Sequence, residues 1–327
     1  MVRFGYFLSS EEHSPDALVQ QARLAEQAGF EGLWISDHFH PWLEEQGESG
    51  FVWSVIGAIS QVCELPITTA VTCPTVRIHP AIVAQAAATS QILTGGRFRL
   101  GVGSGEALNE HILGDRWPSA DERLEMLEES IEVIRKLFTG EQVTHRGRHY
   151  TVETARLYSL PDQAPPILVS GFGEKAVRLA GRVGDGFVSV QPEADHVRLF
   201  KEAGGDGRLT QGGLKVCWGA DEDKARETAY RLWRNEGIPG EAAQLLPLPR
   251  HFEQLSELVT PDMLSHACGP DVDTHVQAIR PYIEAGFDEI YISQIGPEQE
   301  GFFRFYAEEV LPRLRDGQDR TGGAGLE

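Results

Sequence analysis

The sequence predicts a (β/α)8 TIM barrel with insertions, and three observations lead there. An amphipathic helix, a glycine turn, an acidic residue and a β-rich strand recur as one unit. The unit ends in AGFEGLWIS at 28–36, LAGRVGDGFVSV at 179–190 and AGFDEIYIS at 285–293. Short apolar segments alternate with helical ones eight times, which favours a closed parallel barrel over an open doubly wound sheet. A length of 327 residues suits one such barrel carrying insertions.

The elements follow in order. Phe4–Leu8 is a first strand. Ser14-Pro15-Asp16 opens the first helix with an N-cap, a proline at the first helical position and an early acid. Leu18, Ala22 and Ala25 form its apolar side, and Gly29 ends it. Leu33–Ser36 is the second strand, Pro66–Val71 the third, and Pro80–Leu93 an Ala-rich helix suited to close packing. Phe98–Val102 is the fourth strand. Ser119-x-x-Glu122 forms a capping box, and Leu124, Leu127, Ile131, Ile134 and Phe138 keep helical spacing as far as Gly140. Gln142–Thr151 reads as an inserted hairpin. Ile167–Val169, Phe187–Val190, Leu214–Trp218 and Ile290–Ser293 complete the strands. Residues 204–270 read as an irregular insertion broken by Pro239, Pro247 and Pro249. One domain is expected over 1–315, with 316–327 (DGQDRTGGAGLE) a disordered tail.

Lys plus Arg is 29 and Asp plus Glu is 49, a formal charge of −20. That balance argues against nucleic acid and anionic membrane surfaces as partners. Mean hydropathy is −0.26, and no apolar run approaches the roughly 20 residues of a membrane span. The start, MVRFGYFLSSEEHSPD, has acids where a secretory signal would be apolar. Cys63, Cys73, Cys217 and Cys268 are scattered without a CxxC, as reduced thiols in a cytoplasm would be. A cytoplasmic globular enzyme acting on a small molecule is the expectation.

In such a barrel, chemistry sits where strands end and the following loops begin. Strand two runs into Ser36-Asp37-His38-Phe39-His40-Pro41-Trp42, strand three into Thr72-Cys73-Pro74, and strand four into Gly103-Ser104-Gly105-Glu106-Ala107-Leu108-Asn109-Glu110. Strand five gives Ser170-Gly171-Phe172-Gly173 and strand six Ser189-Val190-Gln191. His38 is the candidate acid/base, because imidazole titrates near neutrality. Asp37 orients a cofactor or caps a turn. His38 and His40 have no third ligand at metal-binding spacing, so no metal is expected. The glycines at 101, 103 and 105 miss the G-x-G-x-x-G spacing and instead allow backbone to approach a flat ring or phosphate. Glu106 then points into the ligand site or caps the helix behind it. Ser170–Gly173, ahead of a helix, is a second anion cradle.

SDHFHPW at 36–42, GVGSGEALNE at 101–110 and AGRVGDGF at 180–187 resemble the luciferase-like flavin and deazaflavin oxidoreductases. The closer likeness is to the coenzyme F420-dependent glucose-6-phosphate dehydrogenases and related alcohol dehydrogenases, from Phe4 to about Arg315. The resemblance implies a barrel that binds the deazaflavin at its C-terminal mouth. By the same likeness His38 is the base for a substrate hydroxyl, Trp42 stacks near the reacting centre, and Glu106 faces the ring as proton donor or orienter. It implies cofactor contacts from Asp37, Ser104, Asn109 and the Ser170–Gly173 loop, and an acid at Glu11 beside the site. It also implies a cis peptide at Ala70-Val71 behind the ring, and a homodimer.

Two positions depart from the pattern. Glu193 stands where the sugar-phosphate enzymes carry a lysine, and a carboxylate there repels a phosphate dianion. His40 stands where a glutamine is expected. Glucose 6-phosphate is thereby disfavoured, and an F420-dependent dehydrogenase of an alcohol or sugar-like hydroxyl is the leading expectation. The alternatives are an F420H2-dependent reductase of a carbonyl or enone, an FMN-dependent monooxygenase, and a silent deazaflavin carrier. Because the cofactor is polyanionic and the chain acidic, a local patch is needed. Its candidates are the Ser170–Gly173 amides with Lys175, Arg178 and Arg77.

Overall fold

The computed structural model describes residues 1–322. Eleven strands form among them: β1 Arg3–Leu8, β2 Leu33–Ile35, β3 Ile67–Thr69, β4 Phe98–Val102, β5 Val143–Arg146, β6 Thr151–Ala155, β7 Ile167–Ser170, β8 Gly186–Ser189, β9 Leu209–Cys217, β10 Ala267–Cys268 and β11 Glu289–Gln294. Eight of them pair in parallel in the order β1-β2-β3-β4-β7-β8-β9-β11, and β11 returns to β1 to close the barrel. Each of the eight predicted strands falls on one of these. β5 and β6 form the antiparallel hairpin expected after the helix Ala120–Phe138, although its second strand continues to Ala155.

The barrel interior is polar near its base and needs glycine to fit. The Trp34 indole donates to Gln211 at 2.8 Å, the Gln211 amide donates to Tyr291 at 3.1 Å, and the Tyr291 hydroxyl donates to Glu289 at 2.8 Å. Arg3 and Arg99 pair with the same carboxylate. Trp34 and Tyr291 stack with centroids 4.6 Å apart. A Cβ on Gly213 would stand 2.1 Å from the Trp34 ring, and one on Gly5 would stand 2.3 Å from Tyr291. These close approaches are what the two glycines permit.

Helices ring the barrel and bury their apolar stripes on it; Leu18, Ala22 and Ala25 of Pro15–Gln27 are all fully buried. Its Ser14 hydroxyl bonds Asp16 instead of capping the helix. Ser119 does cap, accepting from the Glu122 amide.

Two expectations are corrected. The 204–270 segment is more regular than its sequence suggests: β9 begins at Leu209, the helix Glu222–Trp233 follows, and β10 pairs with β9. Gln211 and Gly213 hid the start of β9, because the barrel interior accepts an amide and a gap where apolar alternation was sought. Order also does not stop at Arg315. The helix Leu311–Gly322, with Leu311 and Leu314 buried, continues through residues 316–322 of the expected tail. Adding residues to an established helix costs little. Residues 323–327 lie outside the described residues. No helix among the described residues is long and apolar enough to cross a membrane.

Candidate active site

The loops after β1, β2, β3 and β4 converge at the C-terminal mouth. Ser9 and Ser36 donate to Glu11 at 2.9 and 2.7 Å, fixing its carboxylate below His38. His38 Nε2 lies 3.3 Å from Glu11 and 3.7 Å from Glu106. His38 Nδ1 lies 3.2 Å from the His40 carbonyl. A carbonyl only accepts, so this contact assigns the proton to Nδ1 and leaves Nε2 as the basic nitrogen of the neutral ring. A proton captured there has carboxylate acceptors on two sides. Burial alone would raise the pKa of Glu11, but the charge of His38 when protonated, the Ser36 bond, a backbone hydrogen bond and, least, the Lys215 charge together hold it below the usual carboxylate value.

Asn109 is the clamp of this centre. Its Oδ1 accepts from the Phe39 and His40 amides at 2.8 and 3.0 Å, while its Nδ2 donates to Glu106. One buried side chain therefore ties the β2 loop to the β4 loop. Glu106 begins the short helix Ala107–Glu110 but makes no capping bond, so the alternative of a helix-capping carboxylate fails. Gly105, at φ 81°, makes the turn that delivers it; a Cβ there would stand 3.0 Å from Glu110. Trp42 lies 5.1 Å from His38 by ring centroids and meets Phe252 edge to face at 5.2 Å.

Other predicted residues take different places. Asp37 is buried with both oxygens engaged, by Thr72 at 2.8 Å and by Arg77 at 2.9 Å. Arg77 is itself almost fully buried between Asp37 and Glu110, so it braces the floor and leaves the proposed anion patch. Lys175 pairs with Asp121 and Arg178 with Glu174, but these ion pairs are exposed and such pairs hold weakly. His40 turns away from the centre: its Nδ1 contacts the Leu108 carbonyl and its ring stacks on His111. Glu193 is exposed ahead of the helix Ala194–Phe200. Among the described residues no three potential ligands stand together to hold a metal ion.

The expected cis peptide is present at Ala70-Val71. Ala70 and Val71 pack on the cluster of Phe7, Trp34, Leu168 and Val188, giving an apolar floor beside the His38 cluster. A Cβ on Gly103 would stand 2.7 Å from Val71, so that loop lies close on the floor, with Ser104 half-buried beside it. Ser170, Gly171, Phe172 and Gly173 lead into the helix Glu174–Val183, whose first amides have no side-chain cap. Phe172 is half-exposed.

A family model described as luciferase-like monooxygenase matches residues 2–289. This chain belongs to that family. It is 36% identical to an F420-dependent glucose-6-phosphate dehydrogenase of Microbacterium testaceum, over 96% of this chain and 98% of that one. It is 34% identical to the F420-dependent hydroxymycolic acid dehydrogenase of Mycobacterium tuberculosis, over 95% and 88%. A solved F420-dependent secondary alcohol dehydrogenase, in complex with an F420-acetone adduct, superposes with TM-score 0.89 at 31% identity, over 96% and 99%.

Sequence reasoning missed several residues of this family member's mouth. Glu12 accepts from the Trp233 indole and from the Gly296 amide, and burial pushes its pKa up to about 7. Burial likewise raises Glu110 to about 7, against the pull of Arg77. Lys215 stands over Trp233 and pairs with Glu236. A lone lysine in period-two register with Gln211 and Gly213 was the available signal for Lys215. Glu236, Trp233 and Phe252 gave none, because they lie in the unread insertion.

Proposed function

We propose that the chain oxidises a hydroxyl-bearing substrate with coenzyme F420 as hydride acceptor, His38 taking the hydroxyl proton. It is an F420-dependent oxidoreductase, a reading supported by the names of its relatives. The observation that carries the role of His38 is its ring geometry: Nδ1 faces a carbonyl and Nε2 faces the mouth between Glu11 and Glu106. General-base help of this kind supplies about 10²–10⁴ in rate.

The residues present fit a flat anionic cofactor. Ala70-Val71 offers an apolar surface for a ring, Ser104 lines the close loop beside it, and the Ser170–Gly173 amides suit a phosphate. When bound, F420 supplies a two-electron acceptor at its ring. The chain supplies the rest. His38 receives the proton, Glu11 and Glu106 stabilise the resulting imidazolium, and Asn109 holds Glu106 and the His38 loop in one geometry. Asp37 acts indirectly, through Thr72 and Arg77. Trp42 and Phe252 exclude water from one side.

The substrate we propose is an uncharged alcohol. Glu193 is a carboxylate, and Lys215, an ammonium inside the mouth, is already engaged by Glu236 at 2.6 Å. Trp42, half-buried and backed by the buried Trp233 and Phe252, presents aromatic surface instead. The test is titration of tryptophan fluorescence with F420 and with FMN, followed by turnover on secondary alcohols and on glucose 6-phosphate. Micromolar F420 binding with alcohol turnover is expected. Tight FMN binding without F420 binding would overturn the cofactor, and efficient glucose 6-phosphate oxidation would overturn the substrate class.

A further inference from the structure

Lys215 occupies an inward-facing position of β9. Two residues before it, Gly213 leaves room for Trp34, and two before that, Gln211 bonds Trp34 and Tyr291 in the lumen. The two-residue period puts Lys215 on the same side, one layer nearer the mouth. Its Nζ donates to Glu236 at 2.6 Å and stands 3.9 Å from the centroid of Trp233 and 5.8 Å from that of Phe7. Trp233 in turn donates its indole N–H to Glu12, the neighbour of Glu11.

One ammonium thus contacts Glu236 of the insertion directly and, stacked on Trp233 and beside Phe7 of β1, lies across that indole from Glu12 and its neighbour Glu11. Its charge favours the ionised form of each. Tyr6 and Cys217 also lie in the field of Glu12, and Tyr282 in that of Glu236. Glu11 also faces His38, Ser9 and Ser36; Glu12 faces Glu11, Trp233 and the Gly296 amide; Glu236 faces His266 at 2.7 Å. His13, next along the loop, is buried and held neutral, its pKa pushed down to about 4.

We propose that Lys215 is a positioning residue of the reaction centre, acting through the Glu11–Glu12 pair. Its ammonium holds Glu11 as the carboxylate that faces His38 Nε2, and Glu236 competes for that charge. Glu236 is the counterweight: it anchors Lys215 and partly neutralises it. Removing the ammonium and removing the counterweight therefore act in opposite directions, which loosening of the insertion does not. The kinetic consequence, though not the charge coupling itself, rests on His38 being the base.

The test is carboxyl NMR of the full-length protein labelled with δ-¹³C-glutamate, with signals identified by their loss in Glu11→Gln and Glu12→Gln. Lys215→Met should raise both midpoints by at least about half a pH unit. Glu236→Gln should lower the Glu12 midpoint, and Lys215→Arg should restore both. In F420 reduction with propan-2-ol as probe, the acid limb of the kcat profile should move up in Lys215→Met and return in Lys215→Arg. Unmoved midpoints in Lys215→Met, or a rise of Glu12 in Glu236→Gln, would overturn the proposal. If Lys215→Met fails to fold, the Glu236→Gln shift decides alone. Opposite NMR shifts beside an active His38→Ala variant would uphold the coupling and reject His38 as the base.

Discussion

The two sides of the barrel mouth are built differently. The β1–β4 side is a dense hydrogen-bonded unit in which Glu11, His38, Glu106 and Asn109 fix one another, and nearly every polar atom has a partner at under 3.5 Å. The β9–β10 side is backed by buried aromatic rings, with Phe252 meeting Trp42 and Trp233 meeting Lys215, and its charged side chains pair among themselves as Lys215–Glu236–His266. The comparison teaches a division of labour. On the proposed function, proton transfer demands fixed atoms, which adjacent residues on short loops supply, while the substrate's space is bounded by bulky side chains that a distant segment can bring.

That division is broken or sharpened by substitution, beginning with the strongest effect. His38→Ala should lower turnover by about 10²–10⁴ while F420 binding, read by tryptophan quenching, persists; near-normal turnover would move the chemistry elsewhere. Asn109→Ala leaves two partly buried backbone amides and Glu106 without their partner. It should cost roughly 1–3 kcal/mol per orphaned group, seen as a lower Tm, together with about a tenfold to hundredfold loss of kcat. On the opposite wall, Phe252→Ala should act mainly on KM, because it removes the buried ring that backs Trp42 and no reacting atom. A fall in kcat as deep as that of Asn109→Ala would erase the distinction between the sides.

The smallest expected effect concerns Glu12, which joins the two. Its pKa in the folded protein, about 7, lies above its ordinary 4.5, so the fold favours the neutral form. That contribution is complete below about pH 4.5 and is lost as pH rises through about 7. Wild-type Tm should therefore fall from pH 5 to 8 relative to Glu12→Gln; parallel curves would place Glu12 in water.

The β1–β4 side was legible because its parts are contiguous. SDHFHPW and GEALNE each follow a strand whose apolar run is plain, so His38, Trp42, Glu106 and Asn109 could be placed at one rim. Their roles were less legible. Asn109, expected at the cofactor, also clamps the two loops together, and Asp37 and Arg77, expected at ligands, pair with each other under the floor, contacts that no local pattern announced. The insertion was opaque for a different reason. Gln211, Gly213 and Lys215 break the apolar alternation of β9, since they answer to Trp34, Tyr291 and Glu236 across the lumen.

By itself the sequence determined the barrel, its eight strands and the segments that carry the chemistry, because period, turn glycines and strand-end motifs are local signals. Only the tertiary structure decided which charges are free, which are cancelled and which aromatic residues wall the mouth. Those properties depend on partners tens to hundreds of residues away, such as Glu12 with Trp233 and Arg77 with Asp37. No local pattern records such pairs.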